Sequence, residues 1–291
     1  MQNDIVRNKL SKKIGALSLD KDDLRKLLDI LQQRAKIASE IEYKRFEEKK
    51  VENLEQVKHN VEICSMLKIT VVGFKSEELF GTIEDVFGSV SFPDSVKTIY
   101  VNSDVVYRAN FNYYPSNHFQ LYIDFSKPKV FDFSFQPSDR TPNDSEFIVQ
   151  GDDSMWVNGV FHEIDAFVKD RPSKAPKIHR GSVYDILVWL VGLPLGFYVC
   201  NKYQQSSFVA SQESSFLNNL AMTYFFFLSL FLLRVLFHYF RWVYPMIEYK
   251  SKRDRSAAHQ AAVLSITLGI LGKVLYDVFK ISLGNSSVAK A

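Results

Sequence analysis

The chain has 291 residues, 46% of them hydrophobic, with a mean hydropathy of -0.10 and a formal net charge of +3. So small a basic surplus excludes wholesale nucleic-acid binding, which needs a concentrated basic face. The two cysteines, Cys64 and Cys200, exclude a disulfide framework and fit a reducing compartment.

Averages conceal two unlike parts: charged residues crowd the first 180 positions, whereas Phe, Leu, Tyr and Val dominate 183–244. The opening MQNDIVRNKLSKKIG is polar and lacks the apolar core of a signal peptide, so the first domain is expected to stay in the cytoplasm. Ser18 to Asp23 then supplies N-cap candidates and early acids. From there Leu24, Leu27, Leu28, Leu31, Ala35 and Ala38 recur at helical spacing, predicting a long helix. Lys44, Arg45, Glu47, Glu48, Lys49 and Lys50 interrupt any heptad, which favours a helix or helical hairpin packed on its own domain over a coiled coil.

Leu67 to Phe74 (LKITVVGF) is rich in β-branched residues and reads as a strand. Ser76, Glu77 and Glu78 are expected to begin a helix whose apolar positions Leu79, Ile83, Val86 and Phe87 end at Gly88. Further strands are expected at Lys97 to Asn102 and Asp104 to Ala109. Phe119, Leu121, Ile123 and Phe125 alternate strictly with polar residues, the pattern of a strand with one buried and one wet face. Phe131, Phe133 and Phe135 repeat it after a Lys127-Pro128 break, predicting an antiparallel hairpin.

The turn-rich Gln136 to Ser145 leads to a strand at Glu146 to Gln150. Asp152 or Asp153 then caps an amphipathic helix with Trp156, Val157, Val160, Phe161, Ile164, Phe167 and Val168 on its stripe, ended by Pro172. This order is similar to that of TATA-binding-protein-like or helix-grip folds, an analogy of fold that carries no function.

A Pro- and Lys-rich linker, 173–182, precedes two apolar runs. Val183 to Cys200, stretched to Tyr203, just meets the roughly 20 residues a membrane helix needs, and Gly192, Pro194 and Gly196 mark a possible kink in it. Leu220 to Val243 is stronger. About a dozen Phe, Leu and Val residues at roughly -0.3 to -0.6 kcal/mol each outweigh the roughly +2.5 to +3.5 kcal/mol of Arg234. Lys174, Lys177 and Arg180 precede the first run and Arg241, Lys250, Lys252, Arg253 and Arg255 follow the second, while only Lys202 lies between. The positive-inside rule makes this a hairpin with both ends in the cytoplasm, and Tyr239, Trp242 and Tyr244 mark its interface. Ala261 to Ile281 carries Lys273, Asp277 and Lys280 on one face; it spans as a third helix, lies in the interface or packs on the protein.

The expected fold is therefore an α+β cytoplasmic domain followed by an α-helical transmembrane hairpin and a third amphipathic or transmembrane helix. Its parts are a helical N-terminal segment 1–65, a sheet-and-helix domain 66–172, the linker, the hairpin 183–245, and a basic loop with C-terminal helix 246–291.

Arg234, His238 and Arg241 share one face of the second run toward its cytoplasmic end, and an intramembrane charge is a functional hypothesis by default. The structural reading, in which Arg234 snorkels toward the headgroups or pairs with Asp185 on the first helix and holds the hairpin in register, is preferred to a polar pore or inter-subunit contact and to a catalytic or proton-relay role. Lys250, Lys252, Arg253 and Arg255 form a cluster suited to anionic lipid. Elsewhere there is no glycine-rich phosphate loop, HExxH, CxxC or GxSxG. His162, Glu163 and Asp165 in FHEID read as a solvated helix face before a metal site, and His118 and Asp124 are isolated on a strand.

No metal or cofactor is expected. The preferred reading is a non-enzymatic integral membrane protein whose cytoplasmic module binds a ligand and whose hairpin anchors it or forms a membrane-perturbing assembly. Its expected partners are the bilayer and either a second copy or another membrane subunit. Bacterial effectors of stress or anti-phage defence share such a layout. A membrane-bound enzyme with a dispersed active site and a structural subunit of a larger membrane complex are the alternatives.

Overall fold

Leu24, Leu27, Leu28, Leu31, Ala35 and Ala38 are all buried along one side of helix α1 (Lys21–Glu48), whose first turn is capped by the Asp20 carboxylate accepting from the Asp23 N–H at 2.8 Å. In the computed structural model, which describes residues 7–131, 140–204, 215–251, 258–266, 268, 269 and 273, α1 turns back into α2 (Leu54–Cys64). The Gln32 amide joins the two: it donates to Ser65 O at 2.8 Å and accepts from Leu67 N at 2.9 Å. One side chain thus satisfies backbone groups at the end of α2 that would otherwise lack a partner.

The fold is mixed α/β, with a six-stranded antiparallel sheet and two long apolar helices. The strands are β1 (Asn8–Lys13), β3 (Ile69–Gly73), β4 (Glu78–Gly81), β5 (Val96–Asn102), β6 (His118–Asp124) and β7 (Glu146–Gly151), in the spatial order β1-β7-β6-β5-β3-β4. Ile69, Val71, Ile99, Val101, Phe119, Leu121, Ile123, Phe147 and Val149 form the buried face. Against it pack α1 and the helix α5 (Ser154–Lys169), which brings Trp156, Val157, Val160, Ile164 and Phe167. The Trp156 ring stacks on Phe119 at 6.4 Å and donates its indole N–H to Arg34 O at 3.3 Å. Asp153 caps α5 through the N–H groups of Met155 and Trp156.

Three local expectations change. The N-terminal segment, read as helical, begins with β1 and a short strand β2 (Leu17–Leu19); β1 is an edge strand whose Lys9, Lys12 and Lys13 discourage pairing with another chain. Ser76 to Glu78 does not start a helix. Ser76 adopts a left-handed φ of 67°, Gly73 N donates to Glu77 O at 2.8 Å, and the chain reverses into β4; the helix α3 (Ile83–Gly88) begins only after Thr82 caps it.

Asp104 to Ala109 is likewise helical, in α4 (Val105–Phe111). The Asn102 side chain accepts from Asp104 N at 3.1 Å, and an Asp104–Arg108 ion pair at 2.9 Å spans the first turn, so turn chemistry overrides the β-branched Val105 and Val106. Finally, both flanks of β6 are occupied, by β5 and β7. Phe131 ends the described stretch outside any strand, and the rest of the expected hairpin partner, with Phe133 and Phe135, lies outside the described residues.

After the sheet domain, the turn Pro176–His179 leads into helix α6 (Val183–Gln204), and α7 (Ser215–Val243) returns. Within α6, Val188–Gly192 is wound as a π-turn, Leu193 N bonding Val188 O, immediately before Pro194. Proline lacks the N–H that an α-helix needs there, and the wider turn absorbs the mismatch. The chain then re-enters the domain as β8 (Ile247–Tyr249), which pairs in parallel with β2. Leu17, Leu19, Ile247 and Tyr249 all belong to the same buried core as the sheet. Residues 253–291 form a separate unit, described as helical over 258–266; most of the expected third helix lies outside the described residues.

Candidate functional site at the domain–hairpin junction

The two apolar helices pack antiparallel through small residues. A Cβ added to Gly192 would meet Leu233 Cδ2 at 2.8 Å, and one added to Gly196 would meet the Phe226 ring at 2.8 Å and Ser229 Oγ at 3.2 Å. The four-residue spacing of these glycines is what lets one helix backbone approach another in a bilayer. Tyr203 on Phe225 at 4.6 Å, Cys200 Sγ on Met222 O at 3.4 Å and Tyr184 on Phe237 at 5.3 Å extend the contact in the same antiparallel register.

The face of α7 bearing Arg234, His238 and Arg241 is turned toward protein. His238 and Arg241 are buried and Arg234 is half-buried. Asp185 and Arg234 both lie within electrostatic reach of the Tyr184 hydroxyl, so the two helices bring them to one neighbourhood. Arg241 has a different task. Its Nε donates to Ile178 O at 3.1 Å and its guanidinium lies 4.5 Å from the Phe237 ring, tying the end of α7 to the linker that precedes α6.

His179 completes this tie. Its ring is buried, with Nε2 2.6 Å from Tyr244 O and Nδ1 2.8 Å from Thr141 Oγ1. A carbonyl only accepts, so Nε2 carries the proton and Nδ1 accepts from the Thr141 hydroxyl. Burial, reinforced by the nearby Arg241 charge, pushes the His179 pKa below the usual histidine value against the opposing Tyr244 hydrogen bond. Leu17 N to Met246 O at 3.1 Å, Lys250 N to Leu19 O at 2.7 Å and Asn143 Nδ2 to Met246 Sδ at 3.4 Å weave the same returning segment into the domain. Both legs of the hairpin are clamped.

Beside this clamp opens a cleft of about 980 Å³. Among the described residues, Lys12, Lys13, Arg140, Lys169 and Arg180 supply five cationic side chains to its lining against one carboxylate, Asp165. Lys12 and Lys169 both hold Asp165, the second at 2.8 Å, and their hydrogen bonds keep its carboxyl below the usual carboxylate range. Phe147, Phe161, Ile164, Val168 and Met246 give the cleft apolar walls.

Glu163 of the FHEID stretch pairs with Arg34 at 2.6 Å and Asp165 with the two lysines, so these acids tie α5 to α1 and β1. His162 lies exposed at the edge of the Phe161 ring. His118 and Asp124 stand at opposite ends of β6 and do not meet. Lys250 is exposed after β8; Lys252, Arg253 and Arg255 lie outside the described residues. Among the described residues no three His, Cys, Asp or Glu side chains gather to hold a metal ion.

Sequence reading missed His179, Thr141 and the cleft, whose cations come from β1, a turn, α5 and the linker and meet only through the fold. The one local signal was Ile247 and Tyr249 on either side of Glu248, a short strand directly after an apolar helix. No protein-family model, curated protein or solved structure matches the chain.

Proposed function

We propose that this is an integral membrane protein in which α6 and α7 cross a bilayer as a hairpin and the α+β domain is a cytoplasmic binding module rigidly fused to it. The observation that carries the reading is the outward face of the two helices. Trp189, Leu190, Phe197, Tyr224, Phe227 and Leu232 are each more than half exposed, and only 17% of the most apolar stretch of each helix is buried. The core helix of a soluble protein would show the reverse. An apolar surface this extensive requires a lipid or protein covering, and the apolar stretches Val183–Gln204 and Phe216–Val243, of 22 and 28 residues, have the length for lipid.

Several features support the orientation. The returning strand β8 pairs inside the domain core, which requires both hairpin legs to start and finish on the domain's side. Lys174, Lys177 and Arg180 before α6, with Arg241 and Lys250 after the apolar core of α7, outnumber Lys202 at the far end, and basic residues favour the cytoplasm. Tyr239 stacks on Trp242 at 6.1 Å and Lys127 of the domain lies 5.0 Å from the Trp242 ring, an arrangement suited to the headgroup layer. Coupling through the clamp supports a domain that reports to the hairpin or is held by it.

Accessibility labelling tests this. With both native cysteines replaced by serine, Lys202→Cys in intact cells should react with a membrane-impermeant thiol reagent, and Lys127→Cys only after permeabilisation. Labelling of both from the same side, or release of the protein by alkaline carbonate, would reject the crossing.

A further inference from the structure

We propose that the cleft beside the junction is a binding site for a phosphate group carried on a partly apolar molecule. Its chemistry is specific in three respects. First, the charges are unbalanced: Asp165 is already shared by Lys12 and Lys169, Lys13 reaches only the Asn143 carbonyl at 3.3 Å, and Arg140 and Arg180 make no ion pair among the described residues. Their guanidinium groups are planar forks of donors that match phosphate oxygens two at a time. Gathering like charges at a cleft is unfavourable unless an anion joins them.

Second, the walls are apolar. Phe147, Phe161, Ile164, Val168 and Met246 offer a surface that free inorganic phosphate has no use for but that an acyl, prenyl or base moiety would cover. A few placed charges on a mainly apolar lining is the ordinary composition of a ligand pocket.

Third, the cleft is placed to act. Gly181 and Ser182, which line it, immediately precede α6, and Met246 and His179, also lining it, belong to the clamp on the end of α7. An anion drawing Arg180 toward Arg140 therefore pulls on the segment from which α6 starts. Two sources supply this chemistry: the headgroup of an anionic phospholipid, if the hairpin crosses a bilayer, or a soluble phosphate ester. The site itself rests on the cleft and stands whether or not the helices span.

The test is titration calorimetry of the full chain in a neutral detergent, with dihexanoyl-phosphatidylglycerol and inorganic pyrophosphate as titrants and dihexanoyl-phosphatidylcholine as comparison. Saturable binding of at least one anionic titrant is expected. Arg140→Gln and Arg180→Gln should each weaken it about fivefold and together about 25-fold, with the Arg→Lys variants losing less. Neither arginine is in an ion pair among the described residues, so melting temperatures should not move, and a loss of binding is then a loss of the site. Binding of phosphatidylglycerol that pyrophosphate does not displace identifies a lipid headgroup; binding or displacement by pyrophosphate identifies a soluble phosphate ester. Absence of binding by both, equal binding of phosphatidylcholine, or affinity unchanged in the double variant would overturn the proposal. Phosphate binding in a chain that fails the labelling test above keeps the site and discards the membrane reading.

Discussion

His179 holds the junction in one protonation state. The neutral, buried ring donates to Tyr244 and accepts from Thr141, and Arg241 stands close by. The sign of the consequence follows from linkage. With the folded-state pKa below the ordinary 6.5, the unfolded chain binds the proton more readily. The histidine's contribution is complete above pH 6.5 and is lost as pH falls through 6.5 toward the folded value. Melting temperature recorded against pH should therefore fall more steeply on acidification for the native protein than for His179→Gln, whose amide keeps a donor for Tyr244 O. His179→Phe leaves that carbonyl without its partner and should cost about 1–3 kcal/mol at neutral pH. Equal slopes in the native and glutamine proteins would remove the histidine from the account. None of this was legible in the linker sequence. A single histidine among prolines and lysines carries no periodicity, and its partners are 38 and 65 residues away.

Between elements, the decisive contacts are close approaches. Gly192 and Gly196 were read as sources of a kink. Gly192 closes the π-turn before Pro194, and both glycines admit α7, whose Phe226 ring and Leu233 fill the space a side chain would take. Leu233 can swing its terminal methyl aside, whereas a ring yields less, so Gly196 is the more exacting of the two. Gly196→Leu should overpack the contact at about 1–3 kcal/mol and separate the helices. A bifunctional thiol reagent reports this: with Cys64→Ser and Met222→Cys in place, cross-linking to Cys200 should be rapid in the parent and slow in Gly196→Leu, and equal rates would reject the glycine contact. Elements whose identity rests on periodic burial were legible, as the leucine stripe of α1, the alternation in β6 and the stripe of α5 all were. Those decided by a turn were not. Asn102 and Ser76 redirect the chain through side-chain hydrogen bonds and a left-handed φ, features that apolar patterning does not encode.

At the scale of the whole molecule, the core is closed by two segments more than 220 residues apart, since β2 cannot be covered until β8 has been made. Ile247 and Tyr249 are buried in the core, and the Tyr249 ring meets Phe125 edge-on at 5.6 Å. Each such side chain is worth roughly 1.5–3 kcal/mol of apolar burial. A fragment stopped at residue 182 therefore loses about 3–6 kcal/mol from these two residues and bares Leu17, Leu19 and Phe125, a large part of the stability of an ordinary domain. The hairpin is dispensable to this core in a way that β8 is not, because Tyr244 O lies against the His179 ring and the chain ends flanking the hairpin already meet. Replacing 183–243 by a short Gly/Ser linker should consequently give a soluble domain with a cooperative thermal transition, while the fragment ending at 182 should melt lower or aggregate. Urea unfolding of the two proteins measures the gap. If the fragment were as stable as the linked form, β8 would be an ornament on a self-sufficient domain, and the mechanical continuity between domain and hairpin would have to reside in the linker's His179 and Arg241 contacts alone.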